Sequence, residues 1–176
     1  MSAKHTTDWN ILQVHDGTRY ASDGAALSVA LRIARKGIET RCPMVTVQRR
    51  IGIRRRMTKL RVPMLPGYLF VEGTAEARRV IAEGIKGATG WMVRSEAPVA
   101  VPDDVVRRLM AAHDDITQRP VETVFRIGDD VIAERGPMEG WALRVVAVAD
   151  AELLVASPLF GGAVTARIHP NAVRVA

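Results

Sequence analysis

Between Trp9 and Val14 apolar residues fall on both sides of an extended chain, Trp9 and Ile11 on one and Leu12 and Val14 on the other. This predicts a strand covered on both faces and central in its sheet. Residues 15–24 are turn-rich, with Ser22 or Asp23 as a cap for the helix that follows. In that helix Leu27, Ala30, Leu31 and Ala34 recur at i, i+3, i+4 and i+7 and predict the inward stripe. Arg35 and Lys36 suit the last turn, and Gly37 a left-handed stop. Met44 to Val47 returns to a strand pattern, a basic stretch follows with Gly52 near its middle, and Val62 leads into Pro63, which reads as a long hairpin with basic arms. From Tyr68 to Val71, Tyr68 and Phe70 share one face and Leu69 and Val71 the other. A helix from about Ala75 to Glu83 turns Ala77, Val80 and Ile81 inward and stops at Gly84. A strand near Trp91 to Val93 precedes a helix after Pro102, with Asp103 or Asp104 as cap and Val105 and Leu109 one turn apart.

Periodicity lapses over residues 114–124, which contain a proline. From Phe125 the pattern is of short β-rich runs at 131–133, 143–148, 153–156 and 164–168, separated by Gly136-Pro137, Ala149-Asp150 and Gly161-Gly162. The expected organisation is an N-terminal domain over residues 1–113 with its ordered core from about residue 8, a linker at 114–124, and a small all-β barrel over 125–176.

Charge sharpens this picture. The 176 residues carry a net +6, and Arg49, Arg50, Arg54, Arg55, Arg56, Lys59 and Arg61 supply seven cations with no acid among residues 49–61, so the rest sums to −1. Like charges crowded on one short segment repel unless a polyanion relieves them, so the hairpin is expected to meet nucleic-acid phosphate. Without interleaved aromatics it offers no base-reading surface, and little sequence preference is expected. No run reaches the roughly 18 to 20 apolar residues of a membrane helix, and the N-terminus lacks an apolar signal block, so a cytoplasmic protein without membrane contact is expected. Cys42 is the one cysteine, and the histidines at 5, 15, 113 and 169 do not cluster, so neither a metal nor another cofactor is expected. The Asp103-Asp104 and Asp114-Asp115 pairs around His113 are explained by helix capping and a solvated linker, because no nucleophile or phosphate loop accompanies them. No catalytic residue is assigned, and the chain is read as a non-enzyme.

Several short motifs stand in a telling order: Trp9 opening the first strand, Pro43 before the second, the block Leu65-Pro66-Gly67-Tyr68-Leu69-Phe70-Val71, and the run Pro98 to Pro102. They continue with Phe125-Arg126-Ile127-Gly128-Asp129-Asp130-Val131, then Gly136-Pro137-Met138-Glu139-Gly140, then Leu159-Phe160-Gly161. The chain resembles the NusG/RfaH family of transcription elongation and (anti)termination factors over nearly its whole length. That resemblance implies an α+β NGN domain, an antiparallel sheet flanked by helices, that docks on the clamp helices of RNA polymerase, followed by a KOW domain, an SH3-like barrel. It implies a polymerase-facing apolar surface of Leu65, Pro66, Tyr68 and Phe70 with Trp9 close by, Trp9 being equally readable as core. The basic hairpin is then expected beside upstream or non-template DNA. The KOW domain would recruit the terminator Rho or a ribosomal protein through Leu159, Phe160 and Gly161, with Phe160 also readable as a buried barrel residue. The chain departs from the KOW pattern at Leu143, where glycine is usual, and at Gly162, where a basic residue often stands.

Two further readings are weighed. An operon-specific, RfaH-like antiterminator paralogue is favoured slightly by Pro98 to Pro102 and by Glu139-Gly140-Trp141, whereas Leu159-Phe160-Gly161 looks like the general factor. A switch of the second domain between helix and barrel finds no support, since Val145, Val146, Val148 and Val155 favour strand. A ribosome-associated or RNA-binding KOW protein is disfavoured, because five arginines against six acids leave residues 125–176 at −1. A monomer is expected.

Overall fold

Strand β1 (Trp9–Val14) occupies the centre of its sheet, as its two-faced apolar pattern requires. A computed structural model describes residues 8–15, 24–51, 56–111, 125–149, 152–157 and 164–176, and along 48–51 and 56–57 it describes the backbone alone. One flank of β1 pairs antiparallel with β5 (Tyr68–Glu72), Ile11 opposite Phe70 and Leu12 opposite Leu69. Its other flank takes β6 (Ala88–Trp91) and β9 (Ala100–Val101), and β2 (Thr40–Arg41) lies beyond β5. One face of this sheet carries Leu12, Val14, Leu69 and Val71 into a core shared with Ala26, Val29 and Ile33 of α1 (Ala25–Ala34), Ile38, and Ala77, Val80 and Ile81 of α2 (Ala75–Ala82).

The helices separate good sequence signals from ambiguous ones. In α2 the three expected residues are the buried ones, Gly84 takes φ +100° just past its end, and the Thr74 hydroxyl accepts a 3.1 Å hydrogen bond from the Ala77 N–H. Helix α1 buries a different stripe from the expected one: Ala25, Ala26, Val29 and Ile33 face the core, and Leu27 and Leu31 are exposed. Both stripes have helical spacing, and close approach to the sheet decides between them. A Cβ on Gly87, which has φ +93°, would lie 2.9 Å from Val29 Cγ2, so the facing side is crowded and takes alanines and β-branched residues. The N-cap of α1 is Gly24; the expected caps Ser22 and Asp23 lie outside the described residues. Helix α3 (Asp103–Met110) begins from the Pro102 carbonyl, which accepts from the Val106 N–H at 3.2 Å, so Asp103 and Asp104 sit inside its first turn rather than capping it. Its buried residues are Val106 and Leu109, not Val105.

The backbone contacts divide the chain into two compact units, residues 1–42 with 66–110, and residues 43–65 with 111–176. The hairpin thus belongs with the C-terminal residues, whereas the sequence assigns it to the first domain; the expected linker at 114–124 lies outside the described residues. The second unit holds a five-stranded antiparallel sheet in the order β13 (Thr165–Ile168), β12 (Glu152–Ala156), β11 (Ala142–Ala149), β10 (Asp130–Ala133), β14 (Val173–Val175). Alternation buries Val131, Ala133, Leu143, Val145, Leu153, Val155, Ala166 and Ile168. The departure at Leu143 is harmless here, since Leu143 is a buried strand residue opposite Val131. Strand β14 escapes the sequence pattern because a one-turn 3-10 helix at Pro170–Ala172 breaks the alternation just before it.

Candidate functional site

The basic segment forms a two-stranded ladder, β3 (Met44–Ile51) against β4 (Arg56–Pro63), whose register runs from Met44 opposite Pro63 to Ile51 opposite Arg56. Opposed residues share a face and successive residues alternate faces. Val45 with Val62 and Val47 with Leu60 therefore form an apolar side, in which Val47 and Val62 are buried. Thr46 with Arg61, and Lys59, form the opposite side, and the side chains of Lys59 and Arg61 are exposed. Neither cation makes an ion pair among the described residues. Of the other expected DNA contacts, Arg49, Arg50 and Arg56 are described as strand backbone alone, and Arg54 and Arg55 lie outside the described residues.

The hairpin's foot is clamped by one residue of β13. The Arg167 N–H donates to the Met64 carbonyl at 2.7 Å, and its guanidinium Nη1 donates to the Pro63 carbonyl at 2.6 Å. Met64 N–H in turn donates to the Pro43 carbonyl at 2.8 Å, closing the foot. Arg167 is 8% exposed, and Glu152 lies beside it with its Oε2 3.5 Å from Nε. A buried guanidinium needs both a counter-charge and an acceptor; Glu152 supplies the first and the Pro63 carbonyl the second. Nothing in the sequence pattern marks Arg167, which alternation reads as an outward arginine.

The expected apolar docking residues do not form one open surface. Trp9, Leu65 and Phe70 are 2%, 2% and 1% exposed, whereas Pro66 and Tyr68 are partly exposed. For Trp9 the cause is local: its indole Nε1–H donates to Asp103 Oδ1 at 2.9 Å, and the Arg41 guanidinium stacks 5.3 Å from the ring centroid. The Trp9 hydrogen bond, with Arg107 at 2.6 Å, holds the Asp103 carboxyl below its ordinary range. Asp103 is therefore engaged structurally, while His113, Asp114 and Asp115 lie outside the described residues. In the Pro66-Gly67 pair, Gly67 has φ +81°, as the third residue of a type II turn requires, and its carbonyl accepts from the Val14 N–H at 2.8 Å. This turn starts β5 and sets Tyr68 at its first position, half-buried, with its phenol pKa raised by that burial. Leu159, Phe160, Gly161 and Gly162 lie outside the described residues. Among the described residues no group of three or more His, Cys, Asp or Glu side chains could hold a metal, and no helix is long and apolar enough to cross a membrane.

The family model described as transcription termination factor nusG matches residues 7–110, a span that includes the hairpin. A solved structure concerned with domain interaction in Thermotoga maritima NusG is 22% identical, covers 96% of this chain and 97% of its own, and superposes with a TM-score of 0.53, a likeness of fold. The MjSpt4:Spt5 complex in conformation A matches at 13% identity over 96% of this chain and 97% of its own, with a TM-score of 0.32. No curated protein matches the chain.

Proposed function

The chain belongs to the NusG family of transcription factors, and from that premise we propose that it docks on RNA polymerase through its N-terminal domain and modulates elongation beside the DNA. The observation that carries this reading is the basic hairpin inside the family-matched span, with Lys59 and Arg61 on a solvent face and valines on the other. Such a face attracts phosphate through counterion release and needs no base contact to do so. The docking anchor is Tyr68, flanked by Pro66, on the clamp helices of the polymerase; the buried Trp9 and Phe70 belong to the paired strands β1 and β5 themselves. Residues 125–176 are read as a KOW domain that recruits Rho or a ribosomal protein, and residues 114–124 as the linker.

The test is a pull-down with polymerase core. Wild-type chain is expected to bind and Tyr68→Ala to bind weakly, whereas Phe70→Ala is unsuitable because truncating a buried phenylalanine to alanine costs about 3 to 5 kcal/mol of stability. Lys59→Ala/Arg61→Ala should keep polymerase binding but flatten the salt dependence of DNA association, by about 0.9 in log–log slope for each phosphate no longer neutralised. Failure of the wild type to bind polymerase overturns the reading. Transcription with and without Rho then gives the sign of the effect on termination.

A further inference from the structure

The stripe that α1 turns outward is apolar at one end and cationic at the other. Leu27 is 41% and Leu31 65% exposed, one turn apart, with Ala30 half-buried between them and Ala34 exposed. Arg35 continues the same line one turn on, and Arg32 and Lys36 flank it, all exposed. Arg32 is held in place by donating from Nη1 to the Lys86 backbone carbonyl at 3.1 Å. No acidic residue occurs from Gly24 to Ile38, and the next one, Glu39, is paired with Arg41. The opposite side of the helix is already committed to the core through Ala25, Ala26, Val29 and Ile33, with Ala30 packed at its edge, so the exposed Leu27 and Leu31 are not what holds the helix down.

We propose that the outer face of α1 is a docking surface for an acidic amphipathic helix of a partner protein, its apolar residues seated on Leu27 and Leu31 and its carboxylates facing Arg32, Arg35 and Lys36. The charge pattern selects this occupant. A nucleic acid would satisfy the cations but leave both leucines in water, and apolar anchors beside a cationic rim fit a helix that carries both chemistries. Two leucine side chains offer less apolar surface than the single acyl chain that itself gives only marginal membrane binding, so a lipid surface is the poorer match. This surface shares no residue with Tyr68 or the hairpin, and its failure would leave the polymerase reading untouched.

The probe is a helix-stapled synthetic peptide with leucines one turn apart and flanking glutamates, titrated into the isotope-labelled full chain and followed by backbone amide shifts. Shift changes are expected at residues 27–36, with affinity that falls as salt rises. Leu27→Ser/Leu31→Ser should weaken binding by about tenfold or more, as should Arg35→Glu/Lys36→Glu. Both variants should fold like the wild type, since they change exposed side chains, and circular dichroism checks that. The proposal is overturned if the lysine-for-glutamate version of the peptide binds equally well, if the shifts lie elsewhere, or if anionic phosphatidylserine vesicles or single-stranded DNA displace the peptide from residues 27–36. Concentration-dependent self-association through Leu31 would likewise replace the partner helix by a second copy of the chain.

Discussion

Arg167→Met is the most informative single change in the second unit. It keeps the backbone N–H that donates to Met64, keeps much of the side-chain volume, and removes only the guanidinium that serves Pro63 and faces Glu152. Two costs follow. The Pro63 carbonyl loses a charge-assisted hydrogen bond of 2.6 Å, worth about 1.5 to 3 kcal/mol, and the Glu152 carboxylate loses its buried counter-charge. Breaking one side of a buried ion pair costs about 3 to 5 kcal/mol in all, and the 3.5 Å separation here argues for the lower end. A loss of about 3 kcal/mol corresponds to roughly 100-fold faster amide exchange from the affected segment. Hydrogen exchange of the full chain, resolved by peptide, should show that increase over residues 43–65 and 152–168, with little change at α1, β5 and α2. The double variant Arg167→Met/Glu152→Leu should recover the ion-pair share and leave only the deficit at Pro63, because a buried pair replaced by apolar residues is close to neutral. Unchanged protection in the hairpin of the single variant, or equal loosening of both units, would refute the clamp.

The other predictions concern titration and turn strain. Burial pushes the Cys42 thiol up to about 11, so at pH 8 its thiolate fraction, and with it the rate of reaction with a disulfide reagent, should be about 100-fold below that of the urea-unfolded chain; rates within threefold of each other would contradict this. Because that folded pKa is raised, its contribution to stability is present below pH 9 and is lost as pH climbs toward 11. Ser95 and Glu96 both take positive φ, +50° and +68°, in the two-residue loop between β7 (Val93–Arg94) and β8 (Ala97–Pro98). Ser95→Asn/Glu96→Gly should therefore stabilise the chain by about 0.5 to 1 kcal/mol in urea unfolding. His169 Nδ1 accepts from the Asn171 N–H at 3.1 Å, and burial depresses its pKa below the usual 6.5. Its neutral form then contributes stability above pH 6.5 that is lost as pH falls through the lowered value, and nitrogen NMR of the ring should find Nδ1 unprotonated at pH 6.5.

Much of the fold was legible because some residues admit one reading. Leu12, Val14, Leu69 and Val71 alternate without interruption, and Ala77, Val80 and Ile81 can share only one helical face. Helix α1 was not legible in this way, because residues 25–34 hold two apolar stripes and the choice between them lies in the approach of Gly87, far away in sequence. The charge of the hairpin could be located from sequence because it is a property of one short segment. Its attachment could not, since the clamp joins Arg167 to carbonyls at Pro63 and Met64, and a backbone acceptor leaves no trace in residue identity.

The block from Leu65 to Val71, one of the motifs on which the family resemblance rests, divides on physical grounds into structural and available residues. Gly67 is required by its positive φ, Leu69 and Val71 by the helix-side core, and Leu65 and Phe70 by burial. Any chain with this sheet and this turn would need similar residues at those positions whether or not it touched a polymerase, so they testify to the fold. Tyr68 is different: its ring is half-buried at the start of β5, and Leu69 and Phe70 already fill the core on either face of the strand beside it. A residue that the core does not demand is where a functional claim can be tested without unfolding the protein. On that criterion Tyr68, Lys59 and Arg61 bear the weight of the polymerase and DNA reading, and Trp9 and Phe70 do not.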